Sequence, residues 1–189
     1  MKVLSVNIGE KRTLKWNNRV YETGIYKYPV ETSIFLGTED VENDHVIDRK
    51  VHGGFKKAVY AYGKNHYAYW KDLYPHIEFH HGIFGENLTV DKLDEENIFV
   101  GDVYQLGEAV IEVTKPREPC VKLGIRFNDA GIIRQFWNTT KSGVYFKVLQ
   151  TGHVAKNDVF TLLKKAENTQ SIAEVYAYKK SKNMKQDLS

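Results

Sequence analysis

The 189-residue chain has a single cysteine, Cys120, so no disulfide can form within it. That usage agrees with a reducing compartment. No apolar run approaches the ~18 residues a membrane-spanning helix needs, and the mean hydropathy is −0.48. An integral membrane protein is therefore excluded. The opening MKVLSVNIGEKR has only a short apolar stretch interrupted by Ser5 and Asn7, without the apolar core and small-residue cleavage site of a secretory signal. A cytoplasmic location is expected. Also missing are a Walker phosphate loop, a dinucleotide or flavin fingerprint, a Ser-His-Asp elbow, a paired-carboxylate motif and the cysteine set of an iron–sulfur cluster. Charge of one sign is scarce too. The formal net charge is +3, and its excess is local: Lys164 to Ser189 holds six lysines against three acids, while the rest carries 21 of each sign. A balanced body argues against a nucleic-acid polymer as partner, and the lysine-rich end reads as a solvated tail.

What is present fits one domain. Hydrophobic residues at 42% and charged residues at 27% are those of a globular protein long enough to bury a core. The pattern is mainly β with short helices (α+β). KVLSVNI, TSIFLG, KAVYAY, ENLTV, DVYQL, AVIEVT, VYFKVL and DVFTLL read as strands, with Gly107-Glu108 as the tight turn between DVYQL and AVIEVT. In GKNHYAYWKDLY, Tyr67, Trp70 and Tyr74 fall at i, i+3 and i+7, so this segment reads as a short amphipathic helix. NDAGIIRQFWN, opened by an Asn or Asp cap, reads as a second. VGDVYQL and KNDVFTL echo each other, with Asp102 and Asp158 expected to hold turns through side-chain bonds to the backbone. SIAEVYAYKK begins a helix, and the last residues fray.

Three segments carry chemistry. In DRKVHGGFKKAVYAY (Asp48 to Tyr62), Gly53 and Gly54 permit positive φ and close approach to a ligand, with Arg49, Lys50, Lys56 and Lys57 alongside. The segment is an anion cradle or a tight turn with exposed lysines, and His52 is a ligand contact or a hydrogen-bonded structural histidine. HGIFGENLTV (His81 to Val90) brackets an aromatic turn with Gly82 and Gly85 and offers Glu86 and Asn87 as polar contacts or loop ties. TKPREPCVKL (Thr114 to Leu123) is the most specific. Pro116 and Pro119 make it a stiff connector, so Cys120 is expected where a strand restarts. Arg117, Glu118 and Lys122 surround it, and a neighbouring cation favours the thiolate that serves as nucleophile or soft metal ligand. The other reading of Cys120 is a small buried hydrophobe beside Val121. His76, His80 and His81 do not compose a zinc site on this reading, because Pro75 and the strand-like Ile77–Phe79 break the helical spacing.

Taken in order, VHGGFKKAVYAY, GIFGENLTV, VGDVYQLGEAVIEVTKPREPCVKL and SGVYFKVLQTGHVAKND resemble the MOSC family, the module named after the C-terminal domain of molybdenum-cofactor sulfurases. The likeness covers residues 1–163 as a MOSC-like domain and leaves 164–189 as a Lys-rich extension, a short helix or frayed tail. Its nearest subgroup is the stand-alone bacterial proteins linked to resistance against N-hydroxylated purine bases. The resemblance implies a distorted closed β-barrel similar to that of pyruvate kinase. It implies molybdenum cofactor (Mo-molybdopterin) as the bound group and Cys120 as its metal ligand and reactive residue, as in the mitochondrial amidoxime-reducing component. His52, Gly53, Gly54, Lys57, Asn87 and Arg117 would bind the cofactor. The implied activity is reduction of N-hydroxylated bases or related N–O compounds, a small-molecule substrate, with electrons from separate donor proteins. The alternatives are a sulfur carrier bearing a persulfide on Cys120, fed by a sulfur donor, and a cofactor-binding module without turnover.

Overall fold

A computed structural model of the protein describes residues 1–44, 54–167 and 169–186. Its strands are β1 (Val3–Gly9), β2 (Arg12–Trp16), β3 (Arg19–Thr23), β4 (Lys27–Val30), β5 (Ile34–Leu36), β6 (Val59–Gly63), β7 (Leu88–Val90), β8 (Val103–Leu106), β9 (Ala109–Pro116), β10 (Val144–Gln150), β11 (Gly152–Val154) and β12 (Thr161–Lys164). The α-helices are α1 (Tyr67–Leu73), α2 (Val121–Phe127), α3 (Gly131–Trp137) and α4 (Ile172–Gln186). Eight strands form the main sheet, in the order β12-β8-β9-β10-β6-β7-β1-β4, while β5 pairs with β11 and β2 with β3. Every ladder is antiparallel except β6 with β7.

Period-two alternation explains how β6 organises the interior. Val59 and Ala61 face an aliphatic core with Val3, Ile111, Val113, Val144 and Phe146. Tyr60 and Tyr62 face the other way, into an aromatic core built with the helices: Tyr67 and Trp70 from α1, Leu123 and Phe127 from α2, Phe136 from α3 and Tyr176 from α4. With both faces covered, the whole strand is buried. Polar atoms within the aromatic core are paired. Trp70 Nε1 donates to Tyr62 Oη at 2.6 Å, and Tyr176 Oη donates to the Phe136 carbonyl at 2.9 Å.

The two echoing segments are spatial neighbours, since β8 and β12 pair with Leu162 opposite Tyr104. Their aspartates hold turns: Asp102 accepts from the Phe99 and Ala166 amides at 3.0 and 2.8 Å, and Asp158 from Ala155 N at 2.8 Å. The run into β12 returns to the chain start. Lys2 bridges Val159, Val3 N donates to Asp158 O at 2.9 Å and Phe160 N to Met1 O at 3.0 Å. Where a closed barrel is expected, the described residues form a mainly β domain with short helices, whose sheet returns on itself through this short bridge and not through a full ladder. No helix among the described residues is long and apolar enough to cross a membrane.

Three expectations change. Cys120 does not restart a strand. It has extended backbone and precedes α2, because Leu123 and Phe127 lie one helical turn apart and bury the same helical face in the aromatic core. The β2–β3 hairpin does not emerge from the strand reading, although Asn17 and Asn18 take positive φ, the signature of its two-residue turn. The lysine-rich end is not simply solvated. Lys179 on α4 pairs with Glu118 at 2.7 Å, and Glu118 also meets Lys115 at 3.4 Å.

Candidate functional site

A cleft open to solvent, spanning about 630 Å³ of space with the open solvent at its entrance included, lies where β6, the residues preceding β7, the end of β9 and the start of α2 meet. Cys120, Lys57, Asn87 and Arg117, spread over three of the four segments that resemble a family, all line it. Gly54 lies beside the cleft without lining it. With φ of 87° it opens the 3-10 turn Phe55–Lys57, and its carbonyl accepts Lys57 N–H at 2.7 Å, so its glycine freedom is used to set the turn carrying Lys57. His52 and Gly53 lie outside the described residues.

Arg117 is the unusual member. The side chain is only 6% exposed, its guanidinium stands over the rings of Tyr60 and Phe136 at 5.3 and 5.6 Å, and its Nη1 is buried with no hydrogen-bond partner among the described residues. Burial opposes its charge, but Tyr60, Tyr145 and Cys120 outweigh burial and raise its pKa above the usual arginine range. It stays a cation. Lys57 responds in the opposite direction: burial, then Lys115, lowers its pKa against the pull of Glu118 and Cys120. Lys122, on the first turn of α2, adds a third cation around the half-buried Cys120 sulfur.

Asn87 has a connecting role. Its Nδ2 donates to Asp44 Oδ2 at 2.8 Å, its Oδ1 accepts from Tyr60 N at 3.3 Å, and its backbone N–H donates to Tyr60 O at 2.8 Å. It thereby binds the β7 approach to β6 and orders the floor. Glu86 is drawn away from the cleft. It accepts from Tyr67 Oη at 2.5 Å, Gly82 N at 2.9 Å, Phe84 N at 3.0 Å and Thr89 Oγ1 at 2.9 Å. Burial still raises its pKa despite these donors. The buried pair Lys27–Asp44 and the phenols of Tyr60 and Tyr145 also line the cleft and were not legible as site residues. For the tyrosines the only available signal was their alternation with small or apolar residues in KAVYAY and GVYF.

Among the described residues no group of three metal-ligating side chains occurs. One soft sulfur beside three cations is instead the donor set for an anionic group that brings its own metal, and the unpartnered Nη1 of Arg117 provides a buried donor suited to an oxyanion. These residues fit a molybdenum-bearing pterin phosphate.

The fold and this arrangement define a small mainly β domain with a half-buried thiol lining a cationic cleft, and the chain belongs to the MOSC family, whose domain model matches residues 48–161. It is similar to YflK of Bacillus subtilis strain 168, with 39% identity over 184 residues, 96% of this chain and 83% of that one. The crystal structure of YiiM from Geobacillus stearothermophilus superposes with a TM-score of 0.79 at 30% identity, covering 99% of this chain and 90% of that one. A Gibberella moniliformis (strain M3125 / FGSC 7600) protein named Reductase is 32% identical over 174 residues, 88% of this chain but only 30% of that protein. This chain thus spans under a third of that reductase.

Proposed function

We propose that the protein is a molybdenum-cofactor-dependent oxidoreductase that reduces N-hydroxylated bases or related N–O compounds. The observation that carries this reading is the unpartnered, buried Arg117 Nη1 in the same cleft as the Cys120 sulfur. When bound, the cofactor would supply two-electron chemistry at a metal to which the Cys120 thiolate is a ligand. The protein's own groups have separate tasks. Arg117, Lys57 and Lys122 hold the anionic part, with His52 and Gly53 as further contacts and Gly54 setting the turn beneath. Tyr60 Oη donates to the Ser142 carbonyl at 2.9 Å, which fixes its ring as a wall. Tyr145 lines the cleft, and burial raises its pKa, so it keeps its phenolic proton as a hydrogen-bond donor for a substrate oxygen. Reducing a hydroxylamine to an amine takes two electrons and two protons and releases water. The electrons would come from separate donor proteins, in line with the similarity to one segment of a longer reductase.

We read the bridge between Lys2 and Val159 as the seam of a distorted barrel formed by residues 1–163, with residues 164–189 as a Lys-rich extension. The test is elemental analysis and turnover. Protein from a cofactor-producing host should carry near-stoichiometric molybdenum and reduce an N-hydroxylated base with an artificial electron donor. Cys120→Ser should lose both while remaining folded, since a hydroxyl is a poor soft-metal ligand. Full metal content and activity in that variant would overturn the assignment of Cys120. Sulfide released by reductant from metal-free protein would favour the sulfur-carrier reading.

A further inference from the structure

Beside the cleft, four chain segments bring two cations onto the same two aromatic rings. Arg12, at the start of β2, places its guanidinium carbon 4.8 Å from the Tyr26 ring centre and 5.7 Å from that of Tyr28. Arg126, on α2, lies 4.4 and 5.4 Å from the same rings. Neither arginine has a carboxylate partner among the described residues, and Arg126 Nε is buried with no hydrogen-bond partner there. His80 completes the group. Its ring stacks on Tyr28 at 4.7 Å and 18°, its Nδ1 bonds the His81 carbonyl at 2.6 Å, and its Nε2 meets Arg126 Nη2. Because guanidinium can only donate, His80 Nε2 is the acceptor and the ring is neutral, so it adds no charge to the two arginines.

Two guanidinium groups converging on phenol rings repel each other unless an anion lies between or beside them. The field is felt locally. Burial would raise the Tyr28 pKa, yet Arg126 and Arg12 together lower it, and His80 is shifted down by burial with Arg126 outweighing the nearby Glu78. Guanidinium forks match the oxygens of a phosphate, and Tyr28, stacked on His80, is 40% exposed. Arg126 lies one turn beyond Lys122, which lines the cleft, so this patch and the thiol site share helix α2.

We propose that Arg12, Arg126, Tyr26 and Tyr28 form a second binding site, for a phosphate monoester attached to a planar heterocycle, with nucleoside monophosphates as its ligand class. The phosphate engages the two arginines and the base extends the Tyr28–His80 stack. The site is distinct from the cleft and does not depend on a bound cofactor.

Calorimetric titration of the full, cofactor-free chain tests this with adenosine 5′-monophosphate, inorganic phosphate and adenosine at matched ionic strength. The monophosphate should bind saturably, inorganic phosphate at least ~10-fold more weakly through loss of stacking, and adenosine without measurable affinity. Arg12→Ala, at an exposed position, should weaken the monophosphate by at least ~10-fold, about the worth of one charge-assisted contact, while keeping the far-UV circular dichroism of the wild type. Arg12→Ala with Arg126→Ala should abolish it, while Cys120→Ser and Lys57→Glu leave it unchanged. Equal binding of phosphate and the monophosphate would refute the nucleotide assignment. Wild-type affinity in Arg12→Ala, no saturable binding, or loss in Lys57→Glu in place of Arg12→Ala would refute the site.

Discussion

Replacing Arg117 by methionine separates a structural arginine from one held for a ligand. The guanidinium is nearly fully buried, has no carboxylate within ion-pair distance among the described residues, and leaves Nη1 without a partner. An unsatisfied buried donor costs about 1–3 kcal/mol, more when charged. The two aromatic contacts at 5.3 and 5.6 Å return about 2 kcal/mol when desolvated. Methionine fills a similar elongated volume with no polar atom, and exchanging a buried charge for an apolar side chain is commonly neutral or stabilising. Cofactor-free Arg117→Met should therefore unfold with wild-type stability or up to about 2 kcal/mol above it, a rise in Tm of at most about 4–8 °C for a chain of this size. The same change should remove a charge-assisted hydrogen bond to the bound anion, about 1.5–3 kcal/mol, and so weaken cofactor retention by about 10- to 100-fold. Differential scanning calorimetry of metal-free protein and molybdenum content after dialysis read the two quantities independently. A variant destabilised by more than about 3 kcal/mol that still retained molybdenum normally would show that Arg117 serves the core, and the argument from its unpartnered nitrogen would fail.

Lys57→Glu should reduce molybdenum loading far more than Lys164→Glu on exposed β12; Lys179 is unsuitable as the comparison because it pairs with Glu118. Lys57 also carries a pH signature. Its folded-state pKa is lowered, so between that value and its unfolded value the unfolded chain binds more protons and the contribution of Lys57 to stability rises with pH. Holding the cofactor's anionic part needs the ammonium and should fall over the same window, below the ordinary lysine range; molybdenum retention measured from neutral to alkaline pH should show Lys57→Arg shifting this fall to higher pH. In the aromatic core, Trp70→Ala should cost about 3–5 kcal/mol in urea unfolding. Tyr62→Phe, which leaves Trp70 Nε1 without its acceptor, should cost about 1–3 kcal/mol.

Local chemistry made much of this protein readable from its sequence. Alternation in AVIEVT and VYFKVL, the Gly107-Glu108 turn and the i, i+3, i+7 spacing around Trp70 are each decided within a few residues, and the corresponding elements are present. The prolines around Arg117 and the single cysteine likewise mark out residues 114–123 in the sequence alone. Helix α2 was not readable, because VKL fits a strand until Leu123 and Phe127 are given a common aromatic surface to bury against. Only the tertiary structure could decide that Lys57, Asn87, Arg117 and Cys120 share one cleft, that Glu86 turns inward to tie its own loop, and that Lys27 and Asp44 pair within the site. These relations join residues tens of positions apart. They follow from sheet order, which places β6 between β7 on one side and β10, itself paired with the end of β9, on the other. Sequence periodicity specifies which face of a strand is buried, but which strand lies beside it is set by the packing of the whole chain.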